Sequence, residues 1–243
     1  MTDIAWEQVA WVSGTLAVAG TIQGVAGFGF MLIAAACLIQ VYPAQLVVPG
    51  LSLAYIPLGI AQFSQVRHKV DWSLLRTWLG SALIGLLPGT LVLTAVDSIT
   101  MKRGIGLLMV ILAALLRIRP GAPFERERVA RVGSGILSGV LGASTSVAGP
   151  PIVLIGIKQR WPVDAFRASL LGYFTILACA IVVFQAQFGL VTGETVVWAS
   201  CGLPGIAIGF LLGALMRDHV SDEHFRRLGV TLVFGGGLMA LFL

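Results

Sequence analysis

The chain has 243 residues, of which 57% are hydrophobic and only 11% charged. A soluble domain carries about 25% charged residues, and the apolar residues here come in long unbroken runs, which predicts a polytopic α-helical membrane protein and excludes a β-barrel, whose strands would alternate apolar and polar residues. The formal charge of +5 does not indicate nucleic acid, because the basic residues sit in short loops between apolar runs, where membrane orientation requires them.

The chain opens on MTDIAWEQVA, with Asp3 and Glu7 but no Lys or Arg. A secretory leader wants a basic start, so this reads as mature sequence. Five apolar segments follow, at Val9–Gly24, Phe28–Val41, Ala44–Phe63, Leu74–Val96 and Ile105–Leu116. The stretch RIRPGAPFERERVAR, with Pro120 and Pro123, is too polar to cross a bilayer and divides the chain. Five more segments follow it, at Val132–Val147, Ile152–Ile157, Phe166–Phe188, Thr195–Met216 and Phe225–Leu243. The organisation is therefore a first transmembrane repeat over 1–118, a cytoplasmic linker over 119–130 and a second repeat over 131–243.

The two halves align. VAGFGFMLI (Val25–Ile33) matches VAGPPIVLI (Val147–Ile155), YPAQ matches WPVD with Pro43 on Pro162, and LIGLLPGTL matches AIGFLLGAL with Gly85 on Gly209 and Gly89 on Gly213. Repeated halves are a mark of transporters. Charge decides their relative orientation. If the first two segments of each half form a hairpin that returns to its starting side, each half crosses an odd number of times and the repeats are inverted. The loops at 64–76, 117–131, 158–167 and 217–227 then place fourteen of the 16 Lys and Arg on one face, leaving Lys102 and Arg103 on the other. A parallel arrangement would split the fourteen eight against six. The positive-inside rule selects the inverted topology, with both termini outside beside Asp3, Glu7 and Glu194. The fold class is thus all-α, two inverted repeats, each a short or re-entrant helical hairpin plus three full transmembrane helices. Val9–Gly24 and Phe28–Val41 fall short of the ~20 residues of a crossing and Ile152–Ile157 is shorter still, so they read as short or half-depth helices.

The hairpin tips lie at Gly27-Phe28-Gly29 and Gly149-Pro150-Pro151. A helix N-terminus offers unsatisfied N–H groups and the positive end of a dipole, and such ends bind anions. Pro150 and Pro151 suit the opening of a helix, and Gly27 and Gly29 allow close backbone approach. Ser144, Thr145 and Ser146 add neutral hydroxyls, and Gln23 aligns with Thr145. The tips thus predict an anion cradle near the membrane midplane, built without a buried Lys. Packing of small residues at helix interfaces accounts for the same composition.

These residues carry a resemblance. VAGFGF and GASTSVAGPPIVL, together with the duplication and the overall size, resemble the TauE/SafE sulfite exporter family (TSUP) over nearly the whole chain. The resemblance implies a multi-pass carrier of the bacterial inner membrane that moves sulfite, sulfoacetate, other short organosulfonates or thiosulfate, and it favours export. Similar members often carry a further Gly where this chain has Phe30, a departure that would alter the pocket.

Other residues read in two ways. Tyr55 and Tyr173 occupy matching places inside full spans, as lining residues or as interfacial ones; Arg167 is either an anchor snorkelling to headgroups or an anion-attracting gate. Gln62, Gln65, Gln185 and Gln187 lie toward span ends and read as interfacial. Cys37, Cys179 and Cys201 sit inside apolar runs without CxxC spacing, and His68, His219 and His224 fall in loops, so neither a metal nor a cofactor is expected. No nucleophile–base pair can be assembled, so no enzyme is expected. The partners are a small anion, the lipid bilayer and a coupling ion left open between proton, sodium and none. Gly85–Gly89 and Gly209–Gly213 fit internal packing and a homodimer seam equally well. An anion channel, or a carrier of another carboxylate or oxyanion, is the rival function.

Overall fold

The structure, a computed structural model, describes residues 6–26, 29–115, 123–216, 234–235 and 237–242. In chain order the helices are α1 (Trp6–Ala26), α2 (Phe30–Leu38), α3 (Ala44–Val66), α4 (Trp72–Ala95), α5 (Ser98–Leu115), α6 (Glu127–Thr145), α7 (Gly149–Gln159), α8 (Val163–Gln187) and α9 (Gly193–Met216), with a 3₁₀ turn at Arg67–Lys69 between α3 and α4. The expected segment Phe225–Leu243 lies outside the described residues except for 234–235 and 237–242.

Local chemistry sets the ends. Pro43 and Pro162 stand immediately before α3 and α8 in extended or near-extended backbone, consistent with a residue that cannot continue a preceding helix. The Asp71 carboxylate accepts from the Ser73 and Leu74 amides at 2.9 and 3.1 Å and opens α4. Asp97 does the same for α5 through Ile99 and Thr100. The apolar runs then supply length. Ala44–Lys69, Trp72–Ala95, Val163–Gln187 and Gly193–Met216 are long and apolar enough to cross a membrane, which makes this a multi-pass membrane protein.

The hairpin arms differ from expectation. The first arms are not half-depth: α1 has 21 residues and α6 has 19, about 31 and 28 Å at 1.5 Å per residue. Hydropathy hid this because both helices begin on polar residues, Glu7-Gln8 and Glu127-Arg128, and are diluted by Gly, Ser and Thr. The second arms are short, α2 with 9 residues and α7 with 11, about 14 and 16 Å, roughly half of a ~30 Å hydrocarbon core.

Small residues make the main seams. α1 packs along α9, α4 packs along α6, and α3 crosses α8. In the sequence alignment α1 corresponds to α6 and α4 to α9, so each half lends its first helix to the other half's fourth. A Cβ at Gly209 would run into the Ala17 carbonyl oxygen, and one at Gly85 into the Ile136 carbonyl oxygen; both backbones approach too closely for any side chain. The Gly85–Gly89 and Gly209–Gly213 spacings are therefore occupied within the chain. Two apolar cores result. One gathers Leu16, Ile33, Leu51 and Ile105 around α1, α2, α3, α5 and α9. The other gathers Trp78, Leu86, Ile152 and Tyr173 around α4, α6, α7 and α8.

Candidate functional site

A cavity of about 90 Å³ lies where the two cores meet, and residues of both hairpin tips line it. Its volume is several times the ~10–15 Å³ that admits one water, which is the scale of a small ion or molecule. Gly29 and Phe30 come from the start of α2, Ala148, Gly149 and Pro150 from the start of α7. Ser52 and Tyr55 of α3 and Phe174, Leu177, Ala178 and Ile181 of α8 supply walls, with Gln23 and Ser146 at the hairpin bends.

The first tip is a prepared helix end. Gly29 has φ 101, a left-handed conformation that favours glycine, and its carbonyl accepts from Ile33 N–H at 3.1 Å to close the first turn. The Phe30 amide donates to the Gln23 side-chain oxygen at 3.2 Å, and Gln23 Nε2 donates to Gln62 Oε1 at 2.9 Å. Because the Phe30 N–H can only donate, it fixes which way the Gln23 amide faces, and that in turn directs the Gln23 NH₂ group to Gln62. The amides of Met31 and Leu32, both residues of the cavity wall, belong to the first turn, where no intrahelical acceptor exists.

The second tip is different. Pro150 and Pro151 occupy the first turn of α7 and have no N–H. This end contributes a dipole and the Gly149 amide but fewer donors. It is braced from behind: Tyr173 Oη donates to Ser138 Oγ at 2.7 Å, and Ser138 Oγ donates to the Ala148 carbonyl at 2.5 Å.

Tyr55 is the conspicuous polar group. It is 2% exposed and its ring lies 5.7 Å from that of Phe30. Its hydroxyl has no hydrogen-bond partner among the described residues. A buried polar atom left unpaired costs about 1–3 kcal/mol, a cost that a ligand oxygen would remove.

Of the residues expected at the site, Gln23, Gly29, Phe30, Tyr55, Ser146, Gly149 and Pro150 meet around the cavity. Gly27 and Phe28 lie outside the described residues. Ser144 and Thr145 do not face the cavity as donors: their hydroxyls bond back to the Val140 and Leu141 carbonyls, each at 2.7 Å. Pro151 is not in the wall, and Tyr173 serves as the brace just described. Ser146 lines the cavity but spends its proton on the Val48 carbonyl at 3.0 Å, as Ser52 does. Arg167 is half-buried near the start of α8, away from the cavity wall and engaged in interactions of its own.

Two residues expected at the interface are interior. Gln62 is 7% exposed and holds Gln23; Gln185 is fully buried and donates to the Ala143 carbonyl at 2.8 Å. Helical periodicity carried the signal for Gln62, since it follows Tyr55 by two turns on the same face of α3.

The two ends of the bundle are unlike. At the end bearing the Lys- and Arg-rich loops, Glu127 pairs with Arg131 and accepts from the Trp161 indole N–H at 2.9 Å. The Arg131 guanidinium sits 5.3 Å from the Trp161 ring centre, and Trp161 packs on Trp78 and Phe166. Lys69 pairs with Asp164 at 3.3 Å. At the other end the equivalent elements leave a cleft of about 610 Å³, lined by Gln8, Tyr42, Gln45, Glu194, Trp198 and Cys201 among others. Tyr42 is the sequence counterpart of Trp161. Among the described residues no cluster of His, Cys, Asp and Glu is arranged to hold a metal.

The chain is 26% identical over 238 residues to a protein of Cupriavidus necator named "Probable sulfite/organosulfonate exporter TauE", covering 91% of this chain and 90% of that protein. No solved structure matches the chain. The family profile described as "Sulfite exporter TauE/SafE" matches residues 12–240, and the chain belongs to that family.

Proposed function

We propose that the protein is a secondary carrier that exports small sulfur-containing anions, sulfite or short organosulfonates, across the bacterial inner membrane. The anion sits in the central cavity between the two hairpin tips. The α2 helix end and the Tyr55 hydroxyl bind it, and the dipole of α7 adds to the field. Neutral donors suffice, so no buried cation is needed in the membrane. The single observation that carries this reading is the convergence on one cavity of both tips and of a buried hydroxyl with no partner among the described residues.

The repeats, 1–118 and 131–243 joined by the 119–130 linker, are inverted, and both termini face outward. Two observations support this: the concentration of Lys and Arg in alternate loops and the antiparallel course of the equivalent helices α3 and α8, in which Gly59 meets Thr175 and Phe63 meets Gly172. Alternating access then switches which end is clasped. The Glu127–Arg131–Trp161 clasp shuts the basic, cytoplasmic end while the Glu194 cleft stands open at the other. The test is reconstitution of the full chain in liposomes loaded with sulfite or methanesulfonate. A carrier gives saturable efflux and counterflow, and loss of both in Tyr55→Phe supports the site; non-saturable flux without counterflow would mean a pore.

A further inference from the structure

The duplicated tips have diverged, and the divergence has a direction. On the side of the first tip, the cavity meets the start of α2, with Gln23 on the Phe30 amide and, next to Phe30, the Tyr55 hydroxyl, which has no partner among the described residues. On the side of the second tip, Pro150 has no N–H, and the wall is Val153 of α7 with Phe174, Leu177 and Ile181 of α8. The last three follow an i, i+3, i+7 spacing and form one stripe of α8. A Cβ on Gly149 would lie 3.4 Å from the Phe174 ring, and one on Gly142 would lie 3.2 Å from Ile181 Cδ1, so this stripe runs beside the second tip. No described residue lining the cavity is charged.

We infer that the cavity takes a singly charged, amphipathic anion: its sulfonate head at the α2 end and Tyr55, its short apolar tail against Val153, Phe174, Leu177 and Ile181. This rests on the central cavity being the transport site. The polar side supplies neutral donors in number to match one oxyanion head. A second negative charge would enter a space that no described cation faces, and an ammonium group would meet no carboxylate. The apolar wall would instead receive methylene groups, and a fully buried CH₂ strengthens binding about fourfold. Bare inorganic oxyanions, dianions and zwitterionic aminosulfonates are thus the poorer ligands.

The test is calorimetric titration of the purified full chain with methanesulfonate, 1-propanesulfonate, 1,3-propanedisulfonate and 3-aminopropanesulfonate. The expected result is propanesulfonate bound about tenfold more tightly than methanesulfonate, with the disulfonate and the aminosulfonate at least about tenfold weaker than propanesulfonate. Ile181→Thr and, independently, the nearly isosteric Val153→Thr should shrink the gain from methane- to propanesulfonate to less than about threefold. A stripe that serves packing alone would not move that ratio. Equal affinity for all four probes, or tight binding of sulfite with none of propanesulfonate, overturns the tail site while the central cavity stands. Binding of no anion by the native chain overturns both.

Discussion

Replacing Tyr55 by Phe removes one oxygen and little else. The ring keeps its place against Phe30 at 5.7 Å and its burial, so packing is conserved. In the empty protein the deleted hydroxyl has no partner among the described residues. Its removal therefore relieves a desolvation cost of about 1–3 kcal/mol, and the apo protein should hold or gain thermal stability, by ~2–4 °C per kcal/mol for a chain of this size. In the liganded protein the same change deletes a hydrogen bond to a charged group, worth about 1.5–3 kcal/mol, so affinity for methanesulfonate should fall about 10- to 150-fold. The two effects have opposite signs. Thermal melting followed by tryptophan fluorescence gives the first, and titration calorimetry on the same sample gives the second. A variant that melts earlier and binds methanesulfonate as tightly as the native chain would refute the reasoning, because the hydroxyl would then be a structural group.

Gly29→Ala isolates backbone strain: φ is 101 and the nearest atom to an added Cβ, Ile22 Cγ2, lies 3.9 Å away, so the expected loss is about 1–2 kcal/mol with no steric component, read as a fall in melting temperature that Gly29→Asn partly avoids. Glu127→Ala removes the acceptor of the Trp161 indole and the partner of Arg131; the clasped end loosens, the population moves toward the state in which the opposite cleft is shut, and labelling of Cys201, which lines that cleft, by an impermeant maleimide should slow at least about threefold, whereas faster or unchanged labelling counts against a two-state exchange. The Thr100 amide first, then the Thr100 side chain and the Ile99 amide, hold the Asp97 carboxyl below its ordinary range. Its folded value is therefore depressed, the stabilisation of the start of α5 is complete above the ordinary carboxylate range and disappears as pH falls through the folded value, and the melting difference between the native chain and Asp97→Asn should close on acidification below about pH 4.

What could be read from the residues depended on whether a feature is local. Gly29 and Pro150 were legible because a helix break within an apolar run has few other purposes, and both line the cavity. The long helices were legible because length and hydropathy are sums over many residues: Ala44–Phe63 became α3 at Ala44–Val66, and Thr195–Met216 became α9 at Gly193–Met216. α1 and α6 were underestimated because their small residues lower hydropathy for a reason that lies on another helix, the close approach of α9 and α4. Hydroxyls misled for the same reason. Ser144 and Thr145 satisfy themselves on carbonyls one turn back, which composition does not reveal. Position near a span end suggests exposure for Gln62, but its partner Gln23 comes from a different helix and holds it inside. Tyr55 and Tyr173 are matched in sequence and separated only by their partners: one hydroxyl has none among the described residues, the other is bound to Ser138.

The most direct test of the account is the position of a bound anion in the protein, and 2-bromoethanesulfonate marks it with an anomalous scatterer. Diffraction from the complex should place the sulfonate at the start of α2 within hydrogen-bond reach of Tyr55 Oη, with the bromine against Val153, Leu177 and Ile181. Bromine found only among the basic loops or in the Glu194 cleft, with the central cavity empty, would contradict it.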